Sequence, residues 1–581
     1  MTRFAFALGE LGVLASLSAS MAACQGEGSS PTPPNQNMEA GACAVSMPDA
    51  GASSHAVLTQ HNDNARTGAT LTETVLDTCN VSALTNLGSY ALDGEVYAEP
   101  LYAEQVVTAS GKKNLLVVAT MADSLFAFDA DVPGSDPVWQ LGRESELGMA
   151  ALSSRNIGDK NGILATPVID PDAARIYLVS RDCDPNYPPE MPHCQQRLFA
   201  IELASGKILE NVSIAGSVPS PSTNLPVFFD PSLHWSRASL LLAQGKVFVS
   251  FGSGPNGGAH EEDFTYHGWL FGYSTSDLTL APSVYCSTPD FGGGAIWQSG
   301  NGPAADDSAI YFATGNGIHQ PTPATPADFP ATPQADEDSL VRLPLGNPAI
   351  SAHFWDDRPY HADGDVFQYM EKNDIDLSTA GPLLIPESTQ LIAGGKSGIL
   401  YVLDRATLKL TQDPLEAFTA PPLAAGQTKY IYSYDGGPHV QGSPVFFRPN
   451  AAGASNPEGL LFYWPELERL KSFGYDYGSG VVSELQSADV PMVTSGGALS
   501  LSASGGEASS AIVWASTIDS DGASGHLWAF SAVTLGRLWD ATLPAWSKFA
   551  VPLIAAGRVY MASTSSKAGS AQTVQVFGLS R

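Results

Sequence analysis

A module that recurs eight times along the chain restricts the fold more than any other feature. Each copy opens on a strand that carries a small residue and often proline: Glu99-Pro100-Leu101, Thr166-Pro167-Val168, Ala238-Ser239-Leu240, Gly302-Pro303-Ala304, Gly381-Pro382-Leu383, Ser443-Pro444-Val445, Ala498-Leu499-Ser500 and Val551-Pro552-Leu553. An apolar, β-branched run follows, as in Leu115 to Thr120, Arg175 to Ser180 and Arg558 to Ser563, which is the pattern of a buried strand. A third strand comes after a turn, at Ser124 to Asp129, Arg197 to Glu202, Gly398 to Asp404 and Gly525 to Phe530, and a tryptophan-bearing fourth is visible at Trp139, Trp355 and Trp539. Four antiparallel strands per copy make one blade, so the chain is expected to be all-β: a single eight-bladed β-propeller.

The copies recur every ~65 residues, longer than the ~40–50 of common propeller repeats, so long loops must decorate the blades. The last copy has three strands before the chain stops at Arg581, whereas Leu87 to Asp93 lies unassigned ahead of the first copy. That N-terminal strand is expected to complete the last blade, pairing an edge that would otherwise stay open.

Ahead of the propeller, expected over residues 53–581, stand two segments of different composition. Residues 1–24 read as a signal peptide: Arg3, an apolar stretch from Phe4 to Ala19, then small residues before Cys24. The spacing resembles a bacterial lipobox with Cys24 as the lipidated residue, so export to the cell envelope, with attachment to a membrane through that lipid alone or plain secretion, is expected. Residues 25–52 are Gly/Ser/Pro/Asn-rich and read as a linker. Export permits disulfides; Cys183 and Cys194 flank a Pro-rich loop between two strands and are expected to pair, Cys43 with Cys79 is the next pairing to consider, and Cys286 is left over. A formal net charge of −31 repels nucleic acid and anionic lipid, which excludes both as main partners.

The pattern Leu125-Phe126-Ala127-Phe128-Asp129-Ala130 with a later Val138-Trp139, recurring with variation, resembles the tryptophan-docking repeats of quinoprotein (PQQ) dehydrogenases and of the propeller lipoprotein that assists outer-membrane barrel assembly. His61 to Val81 likewise resembles the lead-in segment of those dehydrogenases. The resemblance implies a site on the propeller axis. Asp376 corresponds to the catalytic base and Lys396 to the quinone contact; Asn316 and Glu262, with Asp376, correspond to the calcium ligands. A carboxylate that takes the alcohol proton beside an ammonium that stabilises the reduced quinone is sensible chemistry. The alternatives are that Asp376 caps a turn, Lys396 is a hairpin residue, Asn316 is turn chemistry within Gly315-Asn316-Gly317, and Glu262 belongs to a solvated acidic loop.

The family stacks PQQ between a tryptophan and a disulfide of adjacent cysteines. This sequence has no Cys-Cys pair, and the tryptophan position falls near Gly300, with Trp297 three residues away. No Cys-x-x-Cys-His haem motif occurs either. His439 and His526 read as structural histidines. The sequence therefore leads to three expectations: a monomeric envelope propeller that binds a small molecule, glycan or protein on its face; a calcium- and PQQ-dependent alcohol or sugar dehydrogenase with a degenerate cofactor site; or an envelope-assembly scaffold.

Overall fold

Apolar runs bounded by Gly, Pro, Asn and Asp turns become strands that pair with their neighbours in sequence. In the computed structural model they form four-stranded antiparallel sheets arranged as eight blades. The structure describes residues 54–581 apart from 143–145, 149–159, 185, 188–192, 254–264, 318–335, 346–351, 356–373, 417–438, 440–441, 443, 451–456, 566, 568–569, 571 and 581. The signal peptide, the linker, Cys24, Cys43 and Glu262 lie outside the described residues.

Blade 1 runs outward through Leu101–Thr108, Gly111–Thr120, Ser124–Asp129 and Trp139–Leu141. The innermost strands of blades 2 to 8 are Val168–Asp170, Leu241–Ala243, Ala304–Ala305, Leu383–Leu384, Val445–Phe447, Ala498–Ser502 and Leu553–Ala555, each at or beside one of the eight repeat openings. The last blade is completed from the other end of the chain: Leu84–Ala91 pairs antiparallel with Thr573–Leu579. The expected closure is present, shifted from residues 87–93.

Neighbouring blades meet through apolar side chains and docked tryptophans. The Trp139 indole lies against Gly206 in blade 2, where a Cβ would fall 2.5 Å from the ring, and its Nε1 donates to Leu203 O at 3.1 Å. Gly206 is also in the left-handed region (φ 72°), so glycine serves both the turn and the tryptophan's close approach. In blade 7, Trp539 meets Phe577 of blade 8 edge-on at 5.3 Å.

The segment from Val57 to Glu73 crosses the axis and touches the innermost region of every blade. Its main chain bonds Tyr102, Ile169, Ala305, Leu384, Phe446, Leu501 and Ala503 at 2.7–2.9 Å, in blades 1, 2, 4, 5, 6 and 7. Blade 3 is reached by Asn64 Nδ2, which donates to Leu242 O (2.9 Å). In blade 8, Thr70 Oγ1 donates to Ile554 O (3.1 Å) and Glu73 accepts from Gly557 N–H (2.9 Å). The lead-in thus acts as a hub. At its centre the fully buried Arg66 donates to Pro303 O, Thr59 Oγ1, Gln60 O and Leu240 O at 2.7–3.3 Å.

Cys183 and Cys194 form the expected disulfide, joining facing positions at the base of a blade 2 hairpin. Cys79 is disulfide-bonded as well, and Cys43, its expected partner, lies outside the described residues. Cys286 is free and buried, and burial raises its thiol well above the ordinary range. Replacing Cys183 and Cys194 by alanine is expected to lower stability by about 2–3 kcal/mol, the order associated with a closed loop of this length. Urea unfolding of wild type and the double-alanine protein, both oxidised so that the Cys79 bridge is intact in each, checks it as a lower midpoint for the variant.

Candidate functional site

The turns that precede the innermost strands gather side chains around the axis on one face. Asp376 directly precedes the short turn Leu377–Thr379 that leads into blade 5, but its side chain makes no capping bond there. Instead its Oδ2 accepts from Lys396 Nζ at 2.7 Å and its Oδ1 from Asn316 N–H at 2.9 Å. Lys396, in the hairpin between Gln390–Gly394 and Ile399–Asp404, also reaches Asp374 Oδ2 at 2.6 Å and donates its backbone N–H to Asp376 O at 2.9 Å. Asn316, Asp376 and Lys396 therefore converge on one point.

The electrostatics follow from this packing. Burial works to raise the Asp376 carboxyl, but the Lys396 ammonium and the Asn316 N–H outweigh it and hold it below the usual range. Burial opposes the Lys396 charge as well, yet Asp376 and Asp374 together keep its pKa above the ordinary value. Beneath them the Asn316 amide, oriented so that its NH2 donates, meets both oxygens of buried Asp338 at 3.1 and 3.2 Å, and Asp338 also accepts from Leu377 N–H (3.2 Å).

Lys396→Met is expected to destabilise the fold by about 2–3 kcal/mol, below the 3–5 typical of a fully buried pair, because the Asp374 side chain is 74% exposed. The pair's contribution should be lost as pH falls below 3.8 through the depressed Asp376 pKa, and as it rises above 10.5 through the elevated Lys396 pKa. Urea midpoints across pH, wild type against variant, test this; parallel curves would dismiss the coupling.

Two residues that the sequence reading passed over stand beside this triad. The Arg237 guanidinium, at the entry to blade 3, lies 5.2 Å from the Trp297 ring centre and 4.5 Å from that of Phe549. The Lys548 ammonium lies 4.9 Å from the same Phe549 ring. Burial lowers Arg237 to about 10 and, with Arg237 and Lys396 as cationic neighbours, Lys548 to about 8. A cavity of about 230 Å³ opens next to them, lined among others by His61 of the hub, Asn301, Glu466, Thr494, Lys548 and Phe549. His439 Nδ1 is paired with Glu466 Oε2 at 2.9 Å on its wall. Both histidines expected to be structural contact carboxylates, His526 lying 3.2 Å from Asp519 and 3.0 Å from Asp540.

The described residues as arranged do not fit the calcium and quinone of the resemblance, Glu262 lying outside them. Both Asp376 oxygens are engaged, and the Asn316 NH2 is committed to Asp338. Among the described residues no group of three or more His, Cys, Asp or Glu is disposed to hold a metal ion. Trp297 has a guanidinium over its ring, where a stacked cofactor would need the face.

No family model matches the sequence, and no curated protein matches it. Solved structures do match. A europium-containing methanol dehydrogenase superposes with TM-score 0.58 at 14% identity, covering 90% of this chain and 98% of that one. Quinohemoprotein alcohol dehydrogenases from Comamonas testosteroni (TM-score 0.54, 16% identity) and Pseudomonas putida HK5 (0.56, 13%) each cover 90% of this chain and 80% of their own. The chain has the PQQ-like eight-bladed propeller fold. At these identities the likeness extends to the fold alone.

Proposed function

We propose that the protein is an exported, Cys24-lipidated propeller that works as a monomeric module binding a small molecule at the axial mouth. One observation carries the reading: buried polar atoms without a hydrogen-bond partner lie at the cavity, namely Asn301 Nδ2 on its wall and Arg237 Nε, whose guanidinium packs on the Phe549 ring of the same wall. Folded proteins satisfy nearly all buried polar groups, so such atoms beside a cavity are what a ligand or its waters would complete. The engaged state of Asp376 weighs against turnover by a quinone.

The test uses residues 54–581 with two sets of probes. Sugars, sugar acids and amino acids are screened by thermal shift, and PQQ with Ca²⁺ is assayed for dye reduction with alcohols and aldoses. We expect at least one small polar molecule to raise the melting temperature, and no dye reduction. Turnover that requires PQQ and disappears in Asp376→Asn would replace this reading with a dehydrogenase.

A further inference from the structure

Cations are scarce in this chain, 28 Lys and Arg against 59 Asp and Glu, and two of them are spent on one aromatic ring. Arg237 Cζ and Lys548 Nζ lie 4.5 and 4.9 Å from the Phe549 ring centre. Neither makes a close ion pair or hydrogen bond among the described residues, Glu466 attracting Lys548 only at longer range across the cavity, and Arg237 Nε is buried. Like charges brought together away from water repel, and a ring face offsets only part of that cost. Lys396, by contrast, has two carboxylates.

The cavity that Lys548 lines carries a matching donor. Asn301 is 3% exposed; its Oδ1 accepts from Gln60 Nε2 at 2.9 Å, while its Nδ2 has no partner. An ammonium and an amide NH2 bordering one cavity suit a carboxylate, with the Arg237 charge adding attraction through Phe549. Glu466 and Thr494 line the same cavity, and Glu466 is held by His439. A second negative charge on the ligand would meet Glu466, whereas ligand hydroxyls could donate to it.

We propose that the axial cavity takes a hydroxylated monocarboxylic acid, its carboxylate on Lys548 Nζ and Asn301 Nδ2 and its hydroxyls toward Glu466 and Thr494. This rests on the small-molecule reading above and adds the ligand's class. The affinity has a built-in pH dependence through Lys548, which loses its proton near pH 8. Of the other charged groups around it, Arg237 stays cationic to about 10, burial and Arg66 lower His61 to about 4, and Lys396 is held by Asp374 and Asp376, while His439 Nδ1 lies 2.9 Å from Glu466 Oε2.

Calorimetry on residues 54–581 with gluconate, glucose and hexanoate tests the proposal, in wild type, Lys548→Met and Thr494→Trp. Gluconate is expected to bind, and to bind about tenfold more weakly at pH 9 than at pH 7 as Lys548 loses its proton. Lys548→Met should weaken it at least tenfold and remove the pH dependence, and Thr494→Trp, which fills the mouth from an exposed position, should abolish binding. Glucose and hexanoate should each bind more weakly than gluconate. Glucose bound as tightly as gluconate, sensitive to Thr494→Trp but not to Lys548→Met, would overturn the carboxylate assignment and leave the small-molecule reading standing. Binding of gluconate unaffected by Thr494→Trp would overturn the cavity as its site. Silence from all three probes, together with a blank thermal-shift screen, would overturn both.

Discussion

Arg66→Met is expected to lower the unfolding free energy of the propeller by about 3–5 kcal/mol, the range for removing one partner from a fully buried charged network. The side chain is completely enclosed, and it serves carbonyls in three places at once: Gln60 in the hub, Leu240 in blade 3 and Pro303 in blade 4. Methionine has a similar reach but no donors, so those acceptors would be left buried without partners, at ~1–3 kcal/mol each before relaxation. The cation also offsets nearby Asp63 and the buried carboxyl of Glu99, which burial pushes up to about 8. Urea unfolding followed by tryptophan fluorescence reads the loss as a lower midpoint at unchanged slope. Gly302→Ala is a smaller independent probe, because its Cβ would fall 2.5 Å from Arg66 Nη2. A midpoint indistinguishable from wild type for Arg66→Met would mean that the hub is an ornament on a ring that stands without it.

The second large effect concerns where the chain is allowed to start. A chain beginning at Gly94 lacks both the hub and Leu84–Ala91, and it is expected not to reach a cooperatively folded state. The loss has two parts. Blade 8 would expose the edge of Thr573–Leu579, including the buried Val574, Val576 and Phe577, as an unpaired apolar strand. The innermost strands would in addition lose the main-chain partners that Val57 to Thr70 supplies. A chain beginning at Thr72 keeps the closing strand and the Glu73 contact to Gly557 and loses the rest of the hub, so it should show a melting transition, lower and broader than that of residues 54–581. Thermal unfolding by circular dichroism ranks the three. A sharp transition in the Gly94 chain would show that ring closure contributes little.

Much of the architecture was legible because the repeat writes each blade in the same words. Runs such as Leu115 to Thr120 are apolar at nearly every position because propeller sheets are covered on both faces, and an odd strand count at one end told of a missing strand at the other. The hub was less legible. Its residues His61-Asn62-Asp63-Asn64 have loop composition, and it binds the blades through main chain and through left-handed conformations at His61, Asn62 and Arg66 (φ 51°, 69° and 62°), none of which leaves an apolar pattern. The resemblance to the dehydrogenase lead-in marked the segment without revealing that it touches all eight blades.

The candidate site divides in the same way. Asp376, Lys396 and Asn316 could be found because they sit in segments that resemble the family's, and the structure brings them within hydrogen-bond reach of each other. Arg237, Asn301 and Lys548 lie in three different copies and look like isolated polar residues in a linear reading. Stacking the eight copies on their innermost strands would have revealed them, since the residues just ahead of each strand point into the axial mouth: Tyr97, Leu164, Trp235 and Phe549 form one apolar cluster there. Asp338 carried no such signal, because its role is to hold the Asn316 amide from beneath.

The pairing of Leu84–Ala91 with Thr573–Leu579 also sets a timetable. The strand precedes every blade and its partner comes after the other seven, so it must wait through the synthesis of all the intervening blades before the contact can form. Contacts of such long sequence separation are slow to find and leave an open edge available to neighbours in the meantime. The hub has an easier schedule, since each blade can dock on it as that blade emerges. Assembly would then proceed around the ring in chain order, with the final seam as the step most exposed to aggregation and the natural point for a folding helper to act.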